Sequence, residues 1–145
     1  MHRRYPIFLL ACLMPLAVMA GDAVRISHAW ASSTVPGQEV GAAYMVLQSS
    51  TNASLTGVAS PAAGSVEIHK MSINNGVMEM RMLETLPLPA GKAVKLEPGG
   101  FHLMLFDLKK PLKVGEELAL TLKVTDEAGK LRTQEVRVPI RKAGD

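Results

Sequence analysis

The chain has 145 residues, 48% hydrophobic, 20% charged and 4% aromatic, a composition that fits one soluble globular domain and excludes a disordered or fibrous protein. Its formal net charge of +3 includes Arg3 and Arg4 of a removable leader, so the remainder lies near neutrality and no nucleic-acid footprint is expected.

The first element in chain order is that leader. A basic start (His2, Arg3, Arg4) precedes an apolar run from Pro6 to Met19, and Val18-Met19-Ala20 precede the polar Gly21-Asp22. This pattern predicts a secretory signal peptide over residues 1–20, cut after Ala20, and an exported domain over residues 21–145. The run is shorter than the roughly 20 apolar residues a spanning helix needs, and no later stretch approaches that length, so no membrane insertion is expected after cleavage. A lipid-anchored alternative at Leu9-Leu10-Ala11-Cys12 would cut after too short an apolar run and leave further hydrophobic residues behind. Cys12 is the only cysteine and leaves with the leader. The exported domain then has no disulfide, no thiol chemistry, no Cys-ligated zinc and no blue-copper ligand set.

Short β-type segments follow between turn signals, with no extended amphipathic helical window. The predicted strands are Val24–Ala31, Ala42–Gln48, Ser54–Ser60, Val66–Met71, Val77–Leu83, Ala93–Glu97, Phe101–Leu108, Glu117–Val124 and Leu131–Val138. Leu118, Leu120, Leu122 and Val124 alternate with Ala119, Thr121 and Lys123, the period of a half-buried strand. Asn75-Gly76, Pro98-Gly99-Gly100, Pro111 with Gly115, and Ala128-Gly129 supply the turns. The expected architecture is an all-β, two-sheet Greek-key β-sandwich. Trp30, Tyr44, Met45, Phe101 and Phe106 read as core or core-edge residues, and Lys109, Lys110 and Lys113 as a solvated loop.

Histidine and methionine are concentrated in the middle of the chain: His69 and Met71, then Met78, Met80 and Met82, then His102 and Met104. Period 2 places His69 with Met71, Met78 with Met80 and Met82, and His102 with Met104, each set on one face of its strand. If Asn75-Gly76 is the turn, Met71 faces Met80 and His69 faces Met82; if Asn74-Asn75 is the turn, His69 faces Met80. Both registers keep these residues on one face, with cross-strand Cβ atoms about 4.5–5.5 Å apart and diagonal ones about 7–8 Å. His28 and Met45 stand apart and read as a surface histidine and a core methionine.

Imidazole with thioether is a soft, neutral donor set that favours Cu(I), whereas zinc prefers thiolate, imidazole or carboxylate and Ca²⁺ or Mg²⁺ prefers oxygen. Neutral donors leave a Cu(I) complex at +1, which costs less to desolvate than +2. Met78 and Met82 fit three roles on this reading: wall, packing or spare donor. An exported protein- or glycan-binding module, with the methionines as its apolar contact surface, is the alternative. No nucleophile–base set or close carboxylate pair marks an enzyme.

The spacing His69, ten residues, Met80, twenty-one residues, His102, one residue, Met104 resembles the H-x10-M-x21-H-x-M pattern of the periplasmic PCu(A)C copper chaperones. The resemblance continues through Gly41-Ala42-Ala43-Tyr44-Met45, Val66-Glu67-Ile68-His69, Gly76-Val77-Met78-Glu79-Met80-Arg81, Leu88-Pro89-Ala90-Gly91 and Leu96-Glu97-Pro98-Gly99-Gly100-Phe101. It implies a cupredoxin-like β-sandwich, a monomer, holding one Cu(I) through His69, Met80, His102 and Met104 in the periplasm. It further implies delivery toward the Cu(A) subunit of cytochrome c oxidase, with a Sco-type assembly factor as a second partner in some members; storage or detoxification would use the same site. Some members add a His/Met-rich tail, but Pro139-Ile140-Arg141-Lys142-Ala143-Gly144-Asp145 contains neither residue.

Overall fold

The computed structural model describes residues 24–144, so the leader and Cys12 lie outside the described residues. Ten strands follow one another: β1 (Arg25–Ser32), β2 (Gly41–Gln48), β3 (Ala53–Ala59), β4 (Ala63–Asn74), β5 (Val77–Leu83), β6 (Leu86–Leu88), β7 (Ala93–Leu96), β8 (Phe101–Leu108), β9 (Glu117–Asp126) and β10 (Leu131–Arg141). They are ordered β5-β4-β8-β7-β2-β1-β10-β9-β3-β6, and a β3–β4 pairing at Val58 and Val66 joins the two arms. Eight strands therefore close into a barrel, with β5 and β6 left outside the ring. The expected all-β, cupredoxin-like architecture is present, with its layers continuous around the ring.

Alternation builds the core. Ala43, Met45 and Leu47 of β2, Leu103 and Leu105 of β8, and Leu118, Leu120 and Leu122 of β9 all point inward and are buried. Full burial of each Leu or Val side chain contributes about 1.5–3 kcal/mol, so this shared inward face is what fixes strand register. A one-residue slip would turn every leucine out to solvent.

Two departures from the expected strands have local causes. The short β6 pairs with β3 through Leu86–Leu88, and its central Pro87 breaks the ordinary strand pattern while being tolerated on an edge. In β1, a bulge falls between Ser27 and Trp30 where His28 takes a φ of 51°. That extra residue switches the inward set from Ile26 to Ala29 and Ala31. Trp30 consequently lies opposite Tyr44, their rings 4.7 Å apart, on the face away from the buried Ala43 and Met45. Both rings are only half-buried, which refines their expected place at the core edge. Even so, burial pushes the Tyr44 phenol above its ordinary value of 10.0.

Candidate metal centre

The β4–β5 hairpin turns at Asn75-Gly76, where positive φ values of 50° and 77° make the two-residue turn that matches the right-handed twist of the flanking strands. The first of the two anticipated registers is the one formed: His69 pairs with Met82, Met71 with Met80, and Ile73 with Met78. On its other side β4 pairs with β8, placing His69 opposite His102 and Glu67 opposite Met104. Since Ile68, Leu103 and Leu105 face the core, the residues between them lie on the outer face.

A straight row therefore crosses three strands from His102 through His69 to Met82. The two imidazole centroids are 5.8 Å apart, and Phe106 lies 6.0 Å from the His69 ring. Met104 is diagonal to His69 across β8, and Met80 is diagonal to it across β5. All four expected site residues reach one patch, with Met82 the direct neighbour of His69. His28 is elsewhere, on the β1 bulge.

Each histidine has one nitrogen engaged. His69 Nε2 lies 2.8 Å from Glu67 Oε2, and because a carboxylate only accepts, that nitrogen carries the proton. Its Nδ1 is buried without a hydrogen-bond partner. His102 Nδ1 donates to the Gly100 carbonyl at 3.1 Å, which leaves Nε2 as the lone-pair nitrogen. A metal-bound histidine characteristically gives its second ring N–H to a carboxylate or backbone carbonyl, which fixes the ring and strengthens the ligating nitrogen. Both arrangements occur here in the same patch. His102 as a residue is buried, at 6% exposure, but its free Nε2 is not among the fully buried nitrogens, unlike His69 Nδ1.

The acceptor for His102 is built by a tight turn. Gly100 N–H donates to the Glu97 carbonyl at 3.0 Å, and Gly99 takes a φ of 87°, so Glu97-Pro98-Gly99-Gly100 forms a turn with Pro second and Gly third. The Gly100 carbonyl also accepts the Met71 backbone N–H at 3.0 Å. One carbonyl thus ties the turn, the hairpin and the His102 ring together. Sequence alone assigns neither Glu67 nor this carbonyl a role; the signal for Glu67 is its i, i+2 spacing from His69 on a strand.

Among the described residues, no group of three or more His, Cys, Asp or Glu side chains converges. The register sets Met82 opposite His69, with Met80 and Met104 on its diagonals, so thioethers border the two imidazoles. Imidazole with thioether is a donor set suited to soft metal ions.

The family profile "LpqE-like: Putative lipoprotein LpqE-like" matches residues 24–140. A protein of Leifsonia xyli subsp. xyli named "Putative lipoprotein Lxx21020" is 32% identical over 121 residues, covering 83% of this chain and 70% of that protein. Among solved structures, apo-DR1885 from Deinococcus radiodurans shares 31% identity over 99% of this chain and 98% of that one, with a TM-score of 0.62. Its Cu(I) form shares 32% identity over 87% and 84%, with a TM-score of 0.63. The apo PCuAC domain of PmoF2 shares 26% identity over 86% and 96%, with a TM-score of 0.66. The structure closely resembles these PCuAC folds, a non-catalytic class, which supports the absence of enzymatic activity.

Proposed function

The chain belongs to the LpqE-like family, and from that footing we propose that it is an exported Cu(I) carrier that binds one ion through His69, His102, Met80 and Met104. The observation that carries this reading is the pair of oriented histidines. Each gives one ring N–H to a fixed acceptor and keeps its other nitrogen free of a hydrogen bond, and the two rings lie 5.8 Å apart on the face that carries the methionines. The Cu(I) form of the similar DR1885 supports the choice of metal.

Carriage needs retention and release together. Two imidazoles held by Glu67 and Gly100 supply retention. The thioethers supply release, since they are uncharged donors on flexible stems and an incoming thiolate or imidazole displaces them one at a time. The acceptor we favour is the Cu(A) subunit of cytochrome c oxidase, reached directly or through a thiol-bearing Sco-type factor. The lipoprotein names of the family and of the Leifsonia relative support export, and we place the working site in the periplasm after cleavage at Ala20.

The test is transfer. Cu(I)-loaded protein mixed anaerobically with a copper-free Cu(A)-subunit fragment should lose its metal to the fragment, read as copper content after the two are separated, and adding a one-electron oxidant such as ferricyanide should then develop the mixed-valence Cu(A) absorption of the loaded fragment. Metal that stays with the carrier while free Cu(I) loads the same fragment would remove delivery and leave storage. The exposed methionines of β5 favour the copper-free interaction module as a second reading; partner binding indifferent to both Cu(I) and a Cu(I) chelator would support it.

A further inference from the structure

The chain segregates its methionines. Among the described residues the buried apolar set is made of Leu, Val, Ile and Ala with the single methionine Met45, so thioether is not this protein's usual packing material. Four other methionines lie on the β4–β5 hairpin. Met78, Met80 and Met82 are 63%, 50% and 53% exposed, far too open to be filling a core. The register puts all four on one face: Met80 directly opposite Met71, with Met78 and Met82 on the diagonals. The opposite face carries Lys70, Ser72, Asn74, Glu79 and Arg81, with Asn74 Nδ2 donating to Glu79 Oε2 at 3.0 Å. The hairpin is therefore polar on one side and largely thioether on the other.

We propose that Met71, Met78 and Met80 form a second, weaker Cu(I) site on this outer face, and that the ion enters and leaves the histidine site through it. Cβ atoms directly opposite are about 4.5–5.5 Å apart and diagonal ones about 7–8 Å, distances that unbranched side chains with three rotatable bonds close easily. Three thioethers with no thiolate and no imidazole make a site selective for a soft monovalent ion and weaker than the histidine site. Met80 belongs to both sets and acts as the pivot. When both ions are bound, Met82, directly opposite His69, completes the histidine site in its place. Movement between the sites is ligand exchange: one S–Cu bond forms as another breaks, and copper remains Cu(I) throughout. The entry role rests on the histidine-site reading; the thioether site does not.

The test uses the protein as the cell exports and processes it, labelled with ¹³C at the methionine methyls and titrated anaerobically with Cu(I) against a chelator. The expected result is two equivalents, tight then weak, with the Met71 and Met78 methyls shifting during the second. Met71→Leu/Met78→Leu, which keeps volume and apolar character, should retain the tight equivalent, lose the weak one and release copper more slowly to a thiol acceptor. His69→Ala/His102→Ala should retain only the weak equivalent, now with the Met71 and Met78 shifts at the first addition. A weak equivalent that survives Met71→Leu/Met78→Leu, or methyls that do not move, would overturn the hairpin site. Tight binding that survives the histidine double variant would overturn the histidine reading and the entry role with it, while the methyl shifts would still decide the hairpin site separately.

Discussion

Glu67 decides which nitrogen His69 offers. With its carboxylate 2.8 Å from Nε2, the proton sits there and Nδ1 is left bare in a shielded position. Partners of this type are typically worth about 10–100-fold in metal affinity, so Glu67→Ala should weaken Cu(I) binding by about that factor in chelator competition. Glu67→Gln keeps an acceptor oxygen and should lose less. The melting temperature of the metal-free protein should hardly move in either variant, because the Glu67 side chain is 37% exposed and such pairs contribute little to folding. An equal loss of affinity and stability would instead make Glu67 a structural residue. The four proposed ligands stand out as candidates in the sequence because their spacing matches a family pattern and their donor type is unusual. Glu67 does not, since a carboxylate two positions from a histidine is commonly a solvated neighbour, and only ring orientation separates the two cases.

The hairpin sets which methionine meets which strand partner. Asn75 and Gly76 both have positive φ, and alanine at such a glycine costs about 1 kcal/mol or more. Gly37 offers a control: its φ is 86°, nothing approaches where a Cβ would sit, and it lies in the loop between β1 and β2. Gly76→Ala and Gly37→Ala should each lower stability by about that amount in urea unfolding. Only Gly76→Ala should weaken Cu(I) binding, since it alone disturbs the row through His69 and Met82. Equal copper affinity in the two variants would count against a register-dependent site. Period 2 and the Asn-Gly signal made β5 and β8 readable to the residue. The β1 bulge was not readable, because nothing in Ser27-His28-Ala29 announces an inserted residue. The Leu86–Leu88 edge strand was hidden by its proline.

Closure of the barrel positions the whole face. β4 is held by β8 on one side and touches β3 at Val58 and Val66 on the other, so the strand carrying His69 is fixed to the body while β5 remains an outer edge. That closure rests on a single residue pair, and a composition of alternating strands reads equally well as an open sandwich. Mass spectrometry of the protein recovered from its native compartment should find Gly21 at the N-terminus; a diacylglyceryl group on Cys12, as the family's name invites, would replace cleavage at Ala20 with a lipid anchor. Copper carriage by this protein requires two histidines on one ion, and the most direct measurement is an anaerobic Cu(I) titration against a chromophoric chelator with His69→Ala/His102→Ala run beside it. One tight equivalent present in the unmutated protein and absent from the variant is the predicted result. Failure of the unmutated protein to compete with the chelator, or unchanged tight binding in the variant, would contradict it.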